Sequence, residues 1–333
     1  SKNAALPILV SSLLSKEKIT ISNLPDLIDV KSMIKLLESF GVTTNVKKNV
    51  ISLNSNKLKN NIADYDLVRK MRASILVLGP LLSRFNKATI SLPGGCAIGT
   101  RPIDIHLEAL SKLGATFKIE NGFVEAQVKD KLVGAKIKLP FPSVGATENL
   151  IMAATLAKGT TTIKNSAREP EIVDLANSLN CMGAKIQGAG SDFIKIEGVK
   201  LLKEAKYEIM FDRIVAGTFI IAAVMLNKKF LVKNINPKNI EALIKILKKM
   251  QANLIIKKNS ILILPSKKII GTNVQTSPYP GFPTDLQAQI MALMCIAEGK
   301  SKITEKIFEN RFMHVAELNR MGAKITINND IAY

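Results

Sequence analysis

The sequence predicts an α/β protein made of five copies of one βαβαββ unit, in a chain long enough for two domains. Two observations predict it. A helix-then-strand pattern returns in LLSKEKITISN, FNKATISL, AKGTTTIKN, NKKFLVKN and EGKSKITE, and its anchors Ile21, Ile90, Ile163, Val232 and Ile303 stand 69 to 73 residues apart. A second helix in each copy then ends on a glycine signal, followed by an alternating strand, a polar turn and another strand. Self-similarity at a period this long, with helices and strands mixed, indicates packed α/β modules rather than a solenoid.

The elements follow in order along each copy. The second helices end in SFGVT, KLGAT, CMGAK, KMQAN and RMGAK, at Gly41, Gly114, Gly183, Gln251 and Gly322. Glycine suits the left-handed residue that terminates a helix, so only the fourth copy departs from the rule. The closing hairpins turn at KKN (47–49), ENG (120–122), GAGSD (188–192), KKNS (257–260) and NND (328–330). Asn121-Gly122 is the strongest of these signals.

Composition narrows the function classes. The chain has 333 residues, 47% of them apolar, enough for a sizeable buried core. Its longest apolar runs, such as FIIAAVML (219–226), are too short to cross a bilayer as a helix. The opening SKNAALPILVSSLLS lacks a basic start and carries Pro7, and it reads as folded protein rather than a secretion signal. Because the chain begins on Ser1 rather than Met, an earlier segment is expected before it. Three cysteines, Cys96, Cys181 and Cys295, fit reduced thiols in a cytoplasmic protein. Cys181 and Cys295 fall in apolar helix patterns and are expected to be buried there.

The formal charge of +20 is the one oddity. It comes from 39 lysines against 8 arginines, scattered along helix faces and turns without a basic stripe or stacking aromatics. No nucleic-acid partner is therefore expected, whereas a phosphorylated small substrate would be drawn to such a field. The two histidines, His106 and His314, lie far apart without ligand spacing, and no metal is expected.

Seven segments then carry a resemblance. KNAALPIL (2–9), MRASIL (71–76), LPGGCAIGTRPIDIH (92–106), SVGATEN (143–149), AREPEIVD (167–174), FPTD (282–285) and ENRFMHV (309–315) span the chain. In that order they resemble the signature segments of UDP-N-acetylglucosamine enolpyruvyl transferases. The related shikimate-pathway transferases lack the cysteine-bearing LPGGC loop. The resemblance implies a two-domain inside-out α/β barrel of six units, three per domain. Residues 1–210 are then a first domain carrying the Cys96 loop, and residues 211–333 a second domain with two units, so a sixth unit is expected beyond Tyr333.

The resemblance also implies a reaction and its residues. The enolpyruvyl group of phosphoenolpyruvate would pass to the 3′-hydroxyl of UDP-N-acetylglucosamine with release of phosphate, in peptidoglycan synthesis, by a cytoplasmic monomer that needs no cofactor. Such chemistry requires fixed cations for a highly charged substrate, a base for the hydroxyl and an acid for the methylene carbon. Cys96, between Gly94-Gly95 and Arg101 in a loop free to close, is implied as proton donor and as the target of fosfomycin. Asp285 is implied as base, at a helix start where Thr284 or Asp285 is also expected to cap. By the same resemblance Lys2, Arg72 and Arg101 are implied to face phosphoenolpyruvate or its phosphate, and Asn3 to bond the tetrahedral intermediate. Arg101, Pro102, Ile103, Asp104, Ile105 and His106, with Ser143, Val144, Gly145 and Ile307, are implied for the nucleotide. Phe141 stands before Pro142 where some members carry a lysine near the nucleotide.

Overall fold

The structure is a computed structural model that describes residues 1–63, 65–68, 71–92 and 103–333. Three residues singled out above, Cys96, Arg101 and Pro102, lie outside the described residues, as does the side chain of Arg72.

Five copies follow one another. The first runs α1 (Lys2–Ser11), β1 (Lys18–Ser22), α2 (Ile28–Ser39), β2 (Thr43–Lys47) and β3 (Val50–Asn54). The second runs β4 (Ile62–Ala63), α3 (Tyr65–Val68), a 3-10 helix (Arg72–Val77), α4 (Leu78–Phe85), β5 (Lys87–Ser91), α5 (Asp104–Ser111), β6 (Ala115–Glu120) and β7 (Phe123–Val128). The third holds β8 (Lys136–Lys138), α6 (Val144–Thr155), β9 (Thr160–Lys164), α7 (Pro170–Cys181), β10 (Lys185–Gln187) and β11 (Phe193–Glu197), and β12 (Ala205–Glu208) follows it. The fourth holds α8 (Arg213–Met225), β13 (Phe230–Lys233), α9 (Glu241–Lys249), β14 (Asn253–Lys257) and β15 (Ser260–Leu264). The fifth holds β16 (Asn273–Gln275), α10 (Gln287–Met294), β17 (Lys302–Thr304), α11 (Val315–Arg320), β18 (Ile327–Asn328) and β19 (Ile331–Ala332). The described residues divide into two compact lobes, one up to Met210 and one over Phe211–Tyr333, each with its own apolar core.

Every copy makes a small open sheet. The second, third and fifth share one order, β4-β5-β7-β6, β8-β9-β11-β10 and β16-β17-β19-β18, in which the first pair is parallel and the rest antiparallel. The first copy begins on a helix, and its sheet, β12-β1-β3-β2, takes the parallel strand from the far end of the lobe. Ile19 stands opposite Ala205 and Ser22 opposite Glu208. Asp174 latches this strand down: its carboxylate accepts from the Tyr207 hydroxyl at 2.7 Å and from the Met210 N–H at 3.1 Å. Burial pushes the carboxyl up from its ordinary range, and the hydrogen bond from Tyr207 works against that shift. The fourth sheet is β13-β15-β14, and among the described residues no strand lies on the other side of β13.

Burial follows the role of each helix. The first helices of the first and third copies are enclosed: Ala4, Ala5, Ile8, Leu9 and Val10 of α1 and Leu150, Ile151, Met152 and Ala153 of α6 have no exposure. A helix apolar all round belongs in such a place. The second helices bury one stripe, Val30, Met33, Leu36 and Leu37 in α2 and Ile172, Leu175, Ala176 and Leu179 in α7. By contrast α8, equally apolar, leaves Val215, Phe219 and Met225 exposed, and Phe219 stacks on the half-exposed Phe230 at 6.4 Å.

The helix-ending residues all take the left-handed conformation: Gly41, Gly114, Gly183 and Gly322 have φ of 97° to 100°, and Gln251 takes it without being glycine, at 67°. A side chain pays for that conformation in strain. Gln251→Gly is therefore expected to stabilise the second lobe by about 0.5–1 kcal/mol, read as a higher urea midpoint. An unchanged or lower midpoint would show that contacts of the Gln251 side chain offset the strain.

Two expectations are corrected here. Cys181 and Cys295 are exposed, because the helical pattern puts both at the outward side of a helix end rather than in the core. Neither Thr284 nor Asp285 caps α10: the chain enters that helix through a 3-10 turn (Thr284–Leu286) with no side-chain cap, and both side chains have other partners.

Candidate substrate-binding and catalytic site

In the first lobe the predicted residues gather at helix beginnings. Lys2 and Asn3 open α1, and the Lys2 ammonium lies 3.1 Å from Asp29 Oδ2, both side chains about 40% exposed. Such a pair contributes little to stability but steers the ammonium. The 3-10 helix that begins with Arg72 packs against α1 and α6. Ile103 precedes α5 and is buried, Asp104 opens α5 and is exposed, Ile105 is half-buried, and His106 is only 8% exposed. Ser143 caps α6: its hydroxyl accepts from the Ala146 N–H at 3.4 Å, and its carbonyl accepts from the Thr147 hydroxyl at 2.7 Å. Val144 and Gly145 form the first turn of that helix, next to the His106 ring. Backbone N–H groups at the start of a 12-residue helix form a surface suited to anions. Phe141, just before this turn, is exposed.

The next turn of α6 holds Glu148, whose carboxyl is pushed well above its ordinary value, first by burial and then by the neighbouring Glu171 and Glu169. The shift favours the neutral acid beside the start of α6. The unfolded chain ionises the group as pH rises past its ordinary value, the folded chain does not, and stability falls until the raised folded value is reached. Glu148→Gln should therefore leave the melting temperature at pH 4 unchanged and raise it at pH 8 by roughly 2–4 °C for each kcal/mol of relieved penalty. A lower melting temperature at both pH values would mean that Glu148 is ionised and paired in the folded chain.

In the second lobe one buried carboxylate organises the predicted residues. Glu305 is 4% exposed, and it accepts from Thr276 Oγ1 at 2.7 Å, Thr284 Oγ1 at 2.9 Å and the Ile307 N–H at 2.8 Å. It thus ties the segment bearing Asp285 to the segment bearing Ile307. Arg311 completes the link, its Nη2 lying 2.9 Å from Asp285 Oδ1 and its guanidinium 5.7 Å over the Phe308 ring. Asp285 stays partly open to solvent while Arg311 is largely covered, so the carboxylate is oriented by a fixed cation.

Across its whole length, residues 1–333, the chain matches the family model described as EPSP synthase (3-phosphoshikimate 1-carboxyvinyltransferase). It is 56% identical over 332 residues to UDP-N-acetylglucosamine 1-carboxyvinyltransferase of Pelagibacter ubique, covering 100% of this chain and 80% of that protein. The chain belongs to the UDP-N-acetylglucosamine 1-carboxyvinyltransferase family. The protein of that name from Geotalea uraniireducens is 50% identical over 332 residues, covering 100% of this chain and 79% of its own length. Among solved structures, the enolpyruvyl transferase NikO from Streptomyces tendae superposes with a TM-score of 0.89 at 19% identity, covering 99% of this chain and 79% of that one. EPSP synthase from Acinetobacter baumannii superposes at 0.74 with 18% identity, covering 100% of this chain and 79% of that one. These likenesses establish the enolpyruvyl transferase fold that the family resemblance implied.

For this member of the 1-carboxyvinyltransferase family the structure also points to residues that motif reading passed over. Glu305 gave no signal, since a lone glutamate after a strand looks like surface. Asn149 was visible as the last letter of SVGATEN, but its burial and partners were not. No helix of the described residues is long and apolar enough to cross a membrane. Among the same residues no group of three or more His, Cys, Asp or Glu is placed to hold a metal.

Proposed function

We propose that the chain transfers the enolpyruvyl group of phosphoenolpyruvate to the 3′-hydroxyl of UDP-N-acetylglucosamine, releasing phosphate, as the first committed step of peptidoglycan synthesis in the bacterial cytoplasm. The observation that carries this reading is the 56% identity, over the whole chain, to a protein named for that activity. The placement of Lys2, His106, Ser143 and Asp285 at helix starts and loops supports it.

In the addition step the sugar O3′ bonds to C2 of phosphoenolpyruvate, Asp285 takes the hydroxyl proton, and Cys96 gives a proton to C3. Asn3 bonds the tetrahedral intermediate. In the elimination step C3 loses a proton, the C2 to phosphate-oxygen bond breaks, and inorganic phosphate leaves. Lys2, Arg72 and Arg101 balance the charge of phosphoenolpyruvate throughout. Residues 101–106, Ser143, Val144, Gly145 and Ile307 hold the nucleotide, with backbone N–H groups of α6 directed at its diphosphate. The protein acts as a monomer on these two small molecules, without a cofactor.

Phosphate release decides between acceptors. With phosphoenolpyruvate present, UDP-N-acetylglucosamine should support turnover and shikimate 3-phosphate should not; the reverse outcome would reassign the chain to the shikimate branch.

A further inference from the structure

We infer that Asn149 is a positioning residue that fixes His106 as the Nε2–H tautomer and seats its ring beside the first turn of α6, where the sugar-nucleotide reading puts the diphosphate. The ligand class rests on the sugar-nucleotide reading above, whereas the tautomer rests on geometry alone.

Asn149 has no exposure, so its amide must be satisfied internally. Its Oδ1 accepts from the Gly79 N–H at 2.8 Å, which identifies the oxygen. The Nδ2 group then has two hydrogens and two partners, the Ile75 carbonyl at 2.9 Å and His106 Nδ1 at 3.1 Å. The Ile75 carbonyl can only accept, and it consumes one hydrogen. The other points at Nδ1, which must offer a lone pair. A hydrogen on Nδ1, in the other tautomer or in imidazolium, would set donor against donor inside the core. The ring hydrogen therefore sits on Nε2.

The surroundings of the ring fix where it sits. A Cβ on Gly145 would lie 3.0 Å from His106 Cε1 and 3.3 Å from Nε2, so glycine lets the ring edge reach the α6 backbone. The Nε2 edge of the ring therefore lies against that turn. A Cβ on Gly79 would lie 2.7 Å from both Asn149 oxygens, so close approach is built in on the far side as well. Through Ile75 the same amide holds the 3-10 helix that starts at Arg72. One side chain thus sets the mutual placement of α5, α6 and that helix.

The first measurement is the His106 tautomer in the full chain, by long-range 1H–15N correlation at pH 7.5, with His314→Gln used to assign the two rings. An unprotonated Nδ1 and a protonated Nε2 are expected; an Nδ1–H tautomer or imidazolium overturns the inference. The second is calorimetric binding of UDP-N-acetylglucosamine without phosphoenolpyruvate to Asn149→Ala, His106→Ala and the double variant. Each single change should weaken binding about tenfold, and the double variant should bind no more weakly than His106→Ala alone. Additive losses would show that Asn149 does not act through His106. If Asn149→Ala does not fold, the wild-type tautomer decides. Absence of binding by the wild type would overturn the sugar-nucleotide reading and the ligand class with it, leaving the tautomer to be judged by its own spectrum.

Discussion

Asp285→Ala is expected to lower kcat by roughly 100- to 10,000-fold while changing KM for UDP-N-acetylglucosamine by less than about threefold, because a general base acts mainly in the transition state. The surroundings of Asp285 make the test sharp. Its carboxylate is held by Arg311 at 2.9 Å and its neighbour Thr284 by the buried Glu305, so the backbone there is anchored independently of the missing side chain. Asp285→Asn keeps the shape and a hydrogen bond to Arg311 but removes the basicity, and it should lose nearly as much. If steady-state kinetics show kcat unchanged and only the melting temperature falls, Asp285 serves to anchor Arg311 and the base lies elsewhere.

Cys96→Ser should abolish covalent labelling by fosfomycin and slow turnover by at least about 100-fold, since a hydroxyl is a far weaker acid and nucleophile than a thiol among cations. Its warrant is the loop sequence LPGGCAIGTRP, with three glycines around the thiol and Arg101 five residues on. Cys181 and Cys295 serve as internal controls, because both are exposed yet stand at ordinary helix ends. Peptide mapping by mass spectrometry should find the adduct on Cys96 alone. Cys96→Asp should retain turnover without labelling, a carboxylic acid being able to protonate C3. Intact labelling of the serine variant would sink the assignment.

How legible each feature was depended on whether its physics is local. Helix termini obey a rule about one residue's φ, so Gly41, Gly114, Gly183 and Gly322 could be read as helix ends, and even Gln251 followed the repeat against its own preference. Hairpin turns are local in the same sense, and Asn121 and Gly122 take the positive φ that their pairing signals. The capping role expected for Thr284 or Asp285 failed for the opposite reason. A capping side chain also satisfies any other donor or acceptor in reach, and here Arg311 and Glu305, 26 and 21 residues away in sequence, offered better partners. Cys181 and Cys295 were misplaced because membership of an apolar helix says nothing about which side of its last turn faces the core.

The candidate site divides along the same line. Residue types and order along the chain, together with resemblance, named Lys2, Cys96, Asp104, His106, Ser143 and Asp285, since chemistry needs particular functional groups and a family keeps them in order. What those groups touch belongs to long-range contact. That Asn149 meets His106 across 43 residues, that Glu305 gathers Thr276, Thr284 and Ile307, and that Asp174 pins β12 are properties of packing. Periodicity by itself determined the five copies, their helices, strands and turns, because backbone preferences and apolar spacing act within a few residues. Only the tertiary structure decided that β12 completes the first sheet and which buried amide orients which ring, because a buried polar group takes its partner from whatever the fold brings within about 3 Å.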